Sequence, residues 1–386
     1  MLKAVTLVTC FSLIVVYVLL LSISYPTVCY IKHRPSDDDY RVSPPMIRVM
    51  RKSSNENCSK RLTVNLMPMP KKIKLSRKIK FVQIPSNIHL KTNCPVLYPR
   101  LRFSSNASFT LSVNCSMRFE SNSYPNLGID ESYQLNFTSS HRASLFAKTY
   151  VGVIRGLTTF EQLQRQETIP IPMSIVDKPR FPWRGVMLDV ARHFIPLAII
   201  KQAIDSMQLV KLNVLHLHLS DDQGFRLQSK QFPRLQDSKQ FYTQADMQDL
   251  IEYARQRAIR IVPEFDMPAH TASWFVGYPH LGSRGKTSYE LAKTWGVHNA
   301  TMDVTRESTY DFLERFFAEV TQIFPDEYFH IGGDECVQYE WMESEHIRRF
   351  IEEHNLRDHL GLQAYFTERI EKMLKKFNRK FIRLSS

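Results

Sequence analysis

From Phe181 onward the chain alternates short apolar runs with longer segments of 3.6-residue periodicity, and this alternation restricts the fold more than any other feature. The runs cover residues 185–189, 214–219, 260–265, 328–331 and 380–384. Between them, Ile199, Ala203, Met207 and Leu209, and again Met247, Leu250, Ile251 and Tyr253, recur as one apolar face of a helix. Strands separated by helices pair in parallel, so the expected fold class is α/β, a (β/α)8 TIM-barrel type of which five strands are present. Such a barrel carries its functional groups where its strands end.

Each of the first four strands does end in polar residues. They are Asp189 with Arg192 and His193, Ser220 with Asp221 and Asp222, Asp266 with His270, and Asp334 with Glu335. The fourth end has the form His330-Ile331-Gly332-Gly333-Asp334-Glu335, two glycines that leave room for a ligand and then two adjacent acids. On an extended strand adjacent side chains face opposite ways, so the two carboxylates are expected to act on two different atoms of one substrate. A carboxyl beside another carboxylate in a partly dry pocket suits a general acid. Two acids at a strand end also suit a plain cap on the following helix. A metal-hydrolase centre is a further reading: His216 and His218 alternate on one strand and face the same side, with Asp222, Asp266 and His270 nearby.

The formal charge of +13 suggests nucleic acid or an anionic membrane until it is located. Residues 32–102 hold 17 Lys or Arg and 4 Asp or Glu, which accounts for the whole excess. In residues 71–81 the charges alternate with apolar residues, the period of a strand with one solvated face, and no nucleic acid partner is expected. Residues 4–23 form an apolar run of membrane-spanning length, a signal anchor or signal peptide. Lys32 and Arg34 behind it argue for a cytoplasmic body, whereas sequons at Asn57, Asn106, Asn114, Asn136 and Asn299 argue for the secretory pathway, which is the reading taken. In that compartment a disulfide among Cys58, Cys94 and Cys115 is expected, with the pairing open. The partition is then a leader at 1–30, a stem at 31–62, an α+β domain at 63–176 and the catalytic barrel at 177–386. In the α+β part, residues 108–113 and 132–137 read as strands and residues 143–164 as one helix.

The fourth strand end, with Trp341 six residues beyond Glu335, resembles the signature of the glycoside hydrolase family 20 β-N-acetylhexosaminidases. Residues 189–194 (D-x-x-R-H-F), 216–222 (H-x-H-L-x-D-D) and 266–270 (D-x-P-x-H, with Ala269 where the family has Gly) resemble further motifs of that family. Residues 66–70, 131–135 and 155–160 resemble landmarks of the domain that precedes its barrel. The resemblance implies exo-hydrolysis of terminal GlcNAc or GalNAc without an enzyme nucleophile, the substrate's own acetamido oxygen attacking the anomeric carbon. It implies Glu335 as general acid and Asp334 as the group that orients the acetamido and stabilises the oxazolinium. Arg192 would hold the sugar hydroxyls, Asp221 and His270 would tune Glu335, and Trp341 would contact substrate. It implies no cofactor and no metal. The partners expected are N-acetylhexosamine-terminated glycans and a second copy of the chain, in a membrane-anchored, lysosomal or extracellular setting.

Two departures stand out, Cys336 where the family often has an aliphatic residue and Glu340 where animal members often have Cys. The aromatics that wall the sugar pocket in this family follow its fifth strand, and the chain stops at Ser386. The expectation is therefore a truncated product, unstable and with negligible turnover alone, and a glycan-binding protein without catalysis is an alternative.

Overall fold

The computed structural model of the protein describes residues 64–94, 98–116, 123–236, 240–336 and 339–384. The leader, the stem, Cys58 and Asn57 lie outside the described residues. Among the described residues no helix is long and apolar enough to cross a membrane.

The first layer is a seven-stranded sheet built from β1 (Lys72–Val82), β2 (Asn87–Thr92), β3 (Arg102–Phe103), β4 (Thr110–Cys115), β5 (Tyr133–Ser139), β6 (Arg142–Ala147) and β7 (Ile169–Asp177), in the order β1-β7-β5-β6-β4-β2-β3. The basic strand β1 lies at one edge, with its lysines exposed and Ile73, Leu75 and Ile79 turned partly inward. Charged edge residues of this kind discourage pairing with another chain. One face of the sheet is covered by α1 (Tyr150–Gln164), whose Val151, Ile154, Leu157 and Phe160 are buried. This helix starts later than the expected residue 143. Ala143, Leu145 and Ala147 are buried while Arg142 and Phe146 are exposed, a period of two that makes this stretch β6. The helix then opens at Thr149, whose hydroxyl accepts from the Gly152 amide at 3.1 Å. Cys94 and Cys115 form a disulfide, and Cys336 is a free thiol.

The second layer contains β8 (Gly185–Asp189), β9 (Val214–Asp221), β10 (Gly224–Phe225), β11 (Arg260–Phe265), β12 (Tyr328–His330) and β13 (Lys380–Ile382). Strands β8, β9, β11, β12 and β13 pair in parallel in chain order, and β10 folds back antiparallel on the end of β9. Helices α2 (Leu197–Leu209), α3 (Gln244–Arg255), α4 (Ala272–Gly277), α5 (Glu307–Ile323), α6 (Tyr339–Glu343), α7 (Glu345–Glu353) and α8 (His359–Lys376) form the crossovers. This winding is that of a TIM-type barrel. Helix α2 buries the expected Met207 but, with it, Ile200 and Ile204 in place of Ile199 and Ala203, and leaves Ile199 exposed. Both faces satisfy the helical period, and packing against the sheet selects between them.

Buried polar groups tie the two layers together. Glu131 accepts from Arg155 at 2.7 Å and from Arg184 at 2.5 Å, while Arg155 also donates to the carbonyl of Ala258 at 2.8 Å. Lys211 reaches Asp177 at 3.0 Å. A network this well paired specifies one docking geometry even where its net stabilisation is small.

Candidate active site

The parallel register sets Asp189, His218, Glu264 and His330 side by side across β8, β9, β11 and β12. Alternation along each strand then turns all four toward the barrel interior. Glu264 is the hub. One carboxylate oxygen lies 2.7 Å from His216 Nε2 and 2.7 Å from His218 Nδ1, and the other lies 2.9 Å from His330 Nδ1. These contacts hold its carboxyl well below the usual range although burial alone would raise it.

From this hub the network runs to the strand ends. His218 Nε2 is 2.9 Å from Asp221 Oδ2, and Arg192 places Nη2 2.6 Å from the same oxygen and Nη1 2.9 Å from Asp189. Asp221 Oδ1 is 3.3 Å from His270 Nδ1, and His270 Nε2 is 3.4 Å from Glu335 Oε2. Burial disfavours the imidazolium at both histidines, but the carboxylates outweigh it. His218 is raised to about 10 by Asp221 and Glu264, and His270 to about 11 by Asp221, Asp222 and Asp266. Asp221 is held below its ordinary value: burial is opposed by His218, His270 and Arg192. Asp266 goes the other way, raised by burial and by the charges of Asp334 and Glu264.

The acids themselves sit in irregular backbone beyond the strand, because β12 ends at His330. Gly332 and Gly333 have φ of 65° and 92°, and Glu335 follows with φ of 47°. His270, across from Glu335, has φ of 55°. Left-handed backbone at two non-glycine residues that face each other is strain held by the surroundings, a pattern that gathers at functional sites. Gly332 has a further purpose beside the expected room for a ligand. A Cβ at Gly332 would stand 1.8 Å from Asp266 Oδ1, and the Gly333 amide donates to that same oxygen at 3.1 Å. Asp334 is half-buried, and among the described residues its Oδ1 is buried without a hydrogen-bond partner. Glu335 keeps 53% of its side chain exposed.

Arg192, Asp221, His270, Asp334 and Glu335 are thus brought to one end of the barrel. Trp341 is not on that surface. Helix α6 turns Tyr339 and Met342 outward and Glu340 and Trp341 inward, leaving the indole 1% exposed with its N–H donating to the Met302 carbonyl at 2.9 Å. Glu340 is also buried, accepting from Ser283 and from the Thr301 amide, each at 2.9 Å, with Arg284 at 3.0 Å. It pins the loop after α4 to α6.

Sequence reasoning missed Glu264, although a lone acid inside an apolar strand, at the parity of inward histidines on both neighbours, is a readable signal. His216, Glu264 and His330 also bring possible metal-ligand atoms within 4.8 Å of one another, as do Asp221, Asp266 and His270. The carboxylate that His216 and His218 share is Glu264, not Asp222.

Parallel strands wound in TIM-barrel order, with acids gathered at their carboxyl ends, have the layout of a barrel enzyme's site. Residues 181–384 match the glycosyl hydrolase family 20 catalytic domain, and residues 26–163 match a domain described as beta-acetyl hexosaminidase like. The chain belongs to glycosyl hydrolase family 20. It is 38% identical over 270 residues to the beta-hexosaminidase subunit beta of Felis catus, covering 67% of this chain and 50% of the relative. Against the beta-hexosaminidase subunit A2 of Dictyostelium discoideum it is 31% identical over 356 residues, 86% of this chain and 63% of the relative. Among solved structures it is similar to the Flavobacterium johnsoniae chitobiase, with a TM-score of 0.73 and 31% identity over 83% of this chain and 53% of that one. The beta-N-acetylhexosaminidase of Bacteroides fragilis gives a TM-score of 0.67 and 26% identity, over 82% of this chain and 66% of that one. The chain spans about half the length of several curated relatives it matches.

Proposed function

We propose that the protein is a β-N-acetylhexosaminidase that removes terminal GlcNAc or GalNAc from glycans by a substrate-assisted, retaining mechanism. The observation that carries this reading is the unpartnered, buried Oδ1 of Asp334 beside a Glu335 that faces His270. A buried acceptor left open costs free energy unless a ligand N–H fills it, and an acetamido group offers one. Asp334 then takes the acetamido N–H and turns the acetamido oxygen toward the anomeric carbon. As the oxygen–carbon bond forms and the glycosidic bond breaks, Glu335 gives its proton to the leaving oxygen. The positive charge developing on the oxazolinium nitrogen meets the Asp334 carboxylate. Water then attacks the anomeric carbon on the face the leaving group vacated, giving a proton to Glu335 as the bond to the acetamido oxygen breaks, and this second inversion retains the configuration.

The neighbours have their own parts. His270, raised to about 11, stays an imidazolium that stabilises the Glu335 carboxylate left after proton transfer. Arg192, its fork fixed by Asp189 and Asp221, presents donors to sugar hydroxyls. In this reading the accompanying α+β domain runs over residues 63–176 and the barrel over residues 177–386. The Cys94–Cys115 disulfide supports a secretory-pathway location, and the subunit names of the relatives support a second copy of the chain as partner.

The test is hydrolysis of 4-nitrophenyl GlcNAc and GalNAc glycosides by a form of the protein with a closed, eight-stranded barrel, with a thiazoline analogue of GlcNAc and with EDTA as probes. Turnover inhibited by the thiazoline and indifferent to EDTA is the expected result. Loss of activity with EDTA, unaffected by the thiazoline, would overturn the proposal in favour of a metal centre at His216, Glu264 and His330.

A further inference from the structure

The loop between α4 and α5 carries the most exposed tryptophan of the described residues. Trp295 keeps 61% of its surface exposed, and Val297 beside it keeps 47%. A single exposed apolar side chain needs no explanation, but this one is held in place. Its ring stacks on His193, with centroids 5.6 Å apart and planes 28° from parallel. The loop under it is anchored twice and braced once from within: the Ala292 amide donates to the Asp222 carbonyl, Gln223 Nε2 donates to the Thr294 carbonyl, and the loop's own His298 Nε2 contacts that same carbonyl, each at 3.0 Å. Asp222 follows Asp221, and His193 follows Arg192. The indole therefore stands, exposed, on the two strand ends that carry Arg192 and Asp221.

We infer that Trp295, steadied by His193, is a platform for the sugar ring next beyond the scissile bond. The ligand class is the aglycone-side pyranose of a β-linked N-acetylhexosamine oligosaccharide. This inference rests on the glycosidase reading above. An enzyme that takes a terminal residue into its pocket leaves only the leaving-group side of the substrate at the rim. A pyranose presents axial C–H groups on its faces, and these meet the negative face of an indole favourably. Pre-ordering by the stack and the loop anchors lowers the entropy that binding must overcome.

The experiment uses the same closed-barrel form of the protein carrying Glu335→Gln, so that bound sugar is not turned over. Calorimetric titration with GlcNAc and with its β-1,4-linked disaccharide is compared with and without Trp295→Ala. The disaccharide affinity is expected to fall about tenfold, the equivalent of about 1.4 kcal/mol for one aromatic contact, while that for GlcNAc changes less than twofold. Trp295→Phe should recover most of the loss. A shift of tryptophan emission on adding the disaccharide, absent in Trp295→Phe, reads the contact without depending on the alanine variant. Equal disaccharide affinity with and without the indole, and no emission shift, would overturn the platform alone. Failure of either sugar to bind the Glu335→Gln protein would overturn the glycosidase reading and the platform with it.

Discussion

Replacing Glu264 by Gln keeps the volume of a side chain that is 2% exposed, but it removes the charge that three imidazoles surround. His218 shows the size of the effect. Its rise from 6.5 to about 10, achieved against burial, corresponds to at most about 5 kcal/mol of preference for the imidazolium. Glu264 and Asp221 share that interaction, so losing one of them should cost on the order of 3 kcal/mol, the usual scale for breaking a buried pair. The sign with pH follows from the two directions. A raised histidine stabilises the fold fully below its unfolded value near 6.5 and loses that contribution as pH rises toward 10. The depressed Glu264 contributes above its unfolded value near 4.5 and loses its contribution only as pH falls below that. The deficit of Glu264→Gln should therefore be largest between about pH 5 and 6.5 and should shrink by pH 9.5. Chemical unfolding of both proteins at pH 6 and pH 9.5 measures it. An equal deficit at the two pH values would refute the charge argument, and no deficit at all would remove Glu264 as the hub.

Two further outcomes follow from the same geometry. Glu335→Gln should lower turnover by a factor of about a hundred or more, with the smallest loss on glycosides with good leaving groups; kinetics on aryl and disaccharide substrates check this, and equal losses would exclude Glu335 as the acid. Gly332→Ala combines a φ of 65° with a Cβ 1.8 Å from Asp266 Oδ1, so it should lower the melting temperature by several degrees or prevent folding, and a second change, Asp266→Ala, should restore part of that loss.

Much of the barrel was legible because its strands are short apolar runs bounded by polar ends. Parallel pairing places successive strand ends on one side whatever the loops do, so Arg192, Asp221, His270, Asp334 and Glu335 could be grouped from their positions after strands alone. What escaped was decided by contacts between segments distant in the chain. The apolar face of α2 was read one residue out because Ile199 and Ile200 both fit the helical period, and only packing distinguishes them. The stretch at residues 143–147 was too short for period two to compete with the helix behind it. Gly332 looked like space for a substrate because Asp266, 66 residues earlier, is not its neighbour until β11 and β12 pair. Trp341 looked like a sugar contact because it lies six residues from Glu335, yet one helical turn in α6 points it into the core. Trp295 escaped for the opposite reason: nothing in its local pattern sets it apart, and it acquires meaning only when its loop is tied to Asp222 and Gln223. The residues proposed to carry the chemistry were thus visible from their own strands. Those that hold them in place came from other strands, and Glu264, buried among histidines of two neighbouring strands, shows that the holding requires as much chemical specificity as the reaction.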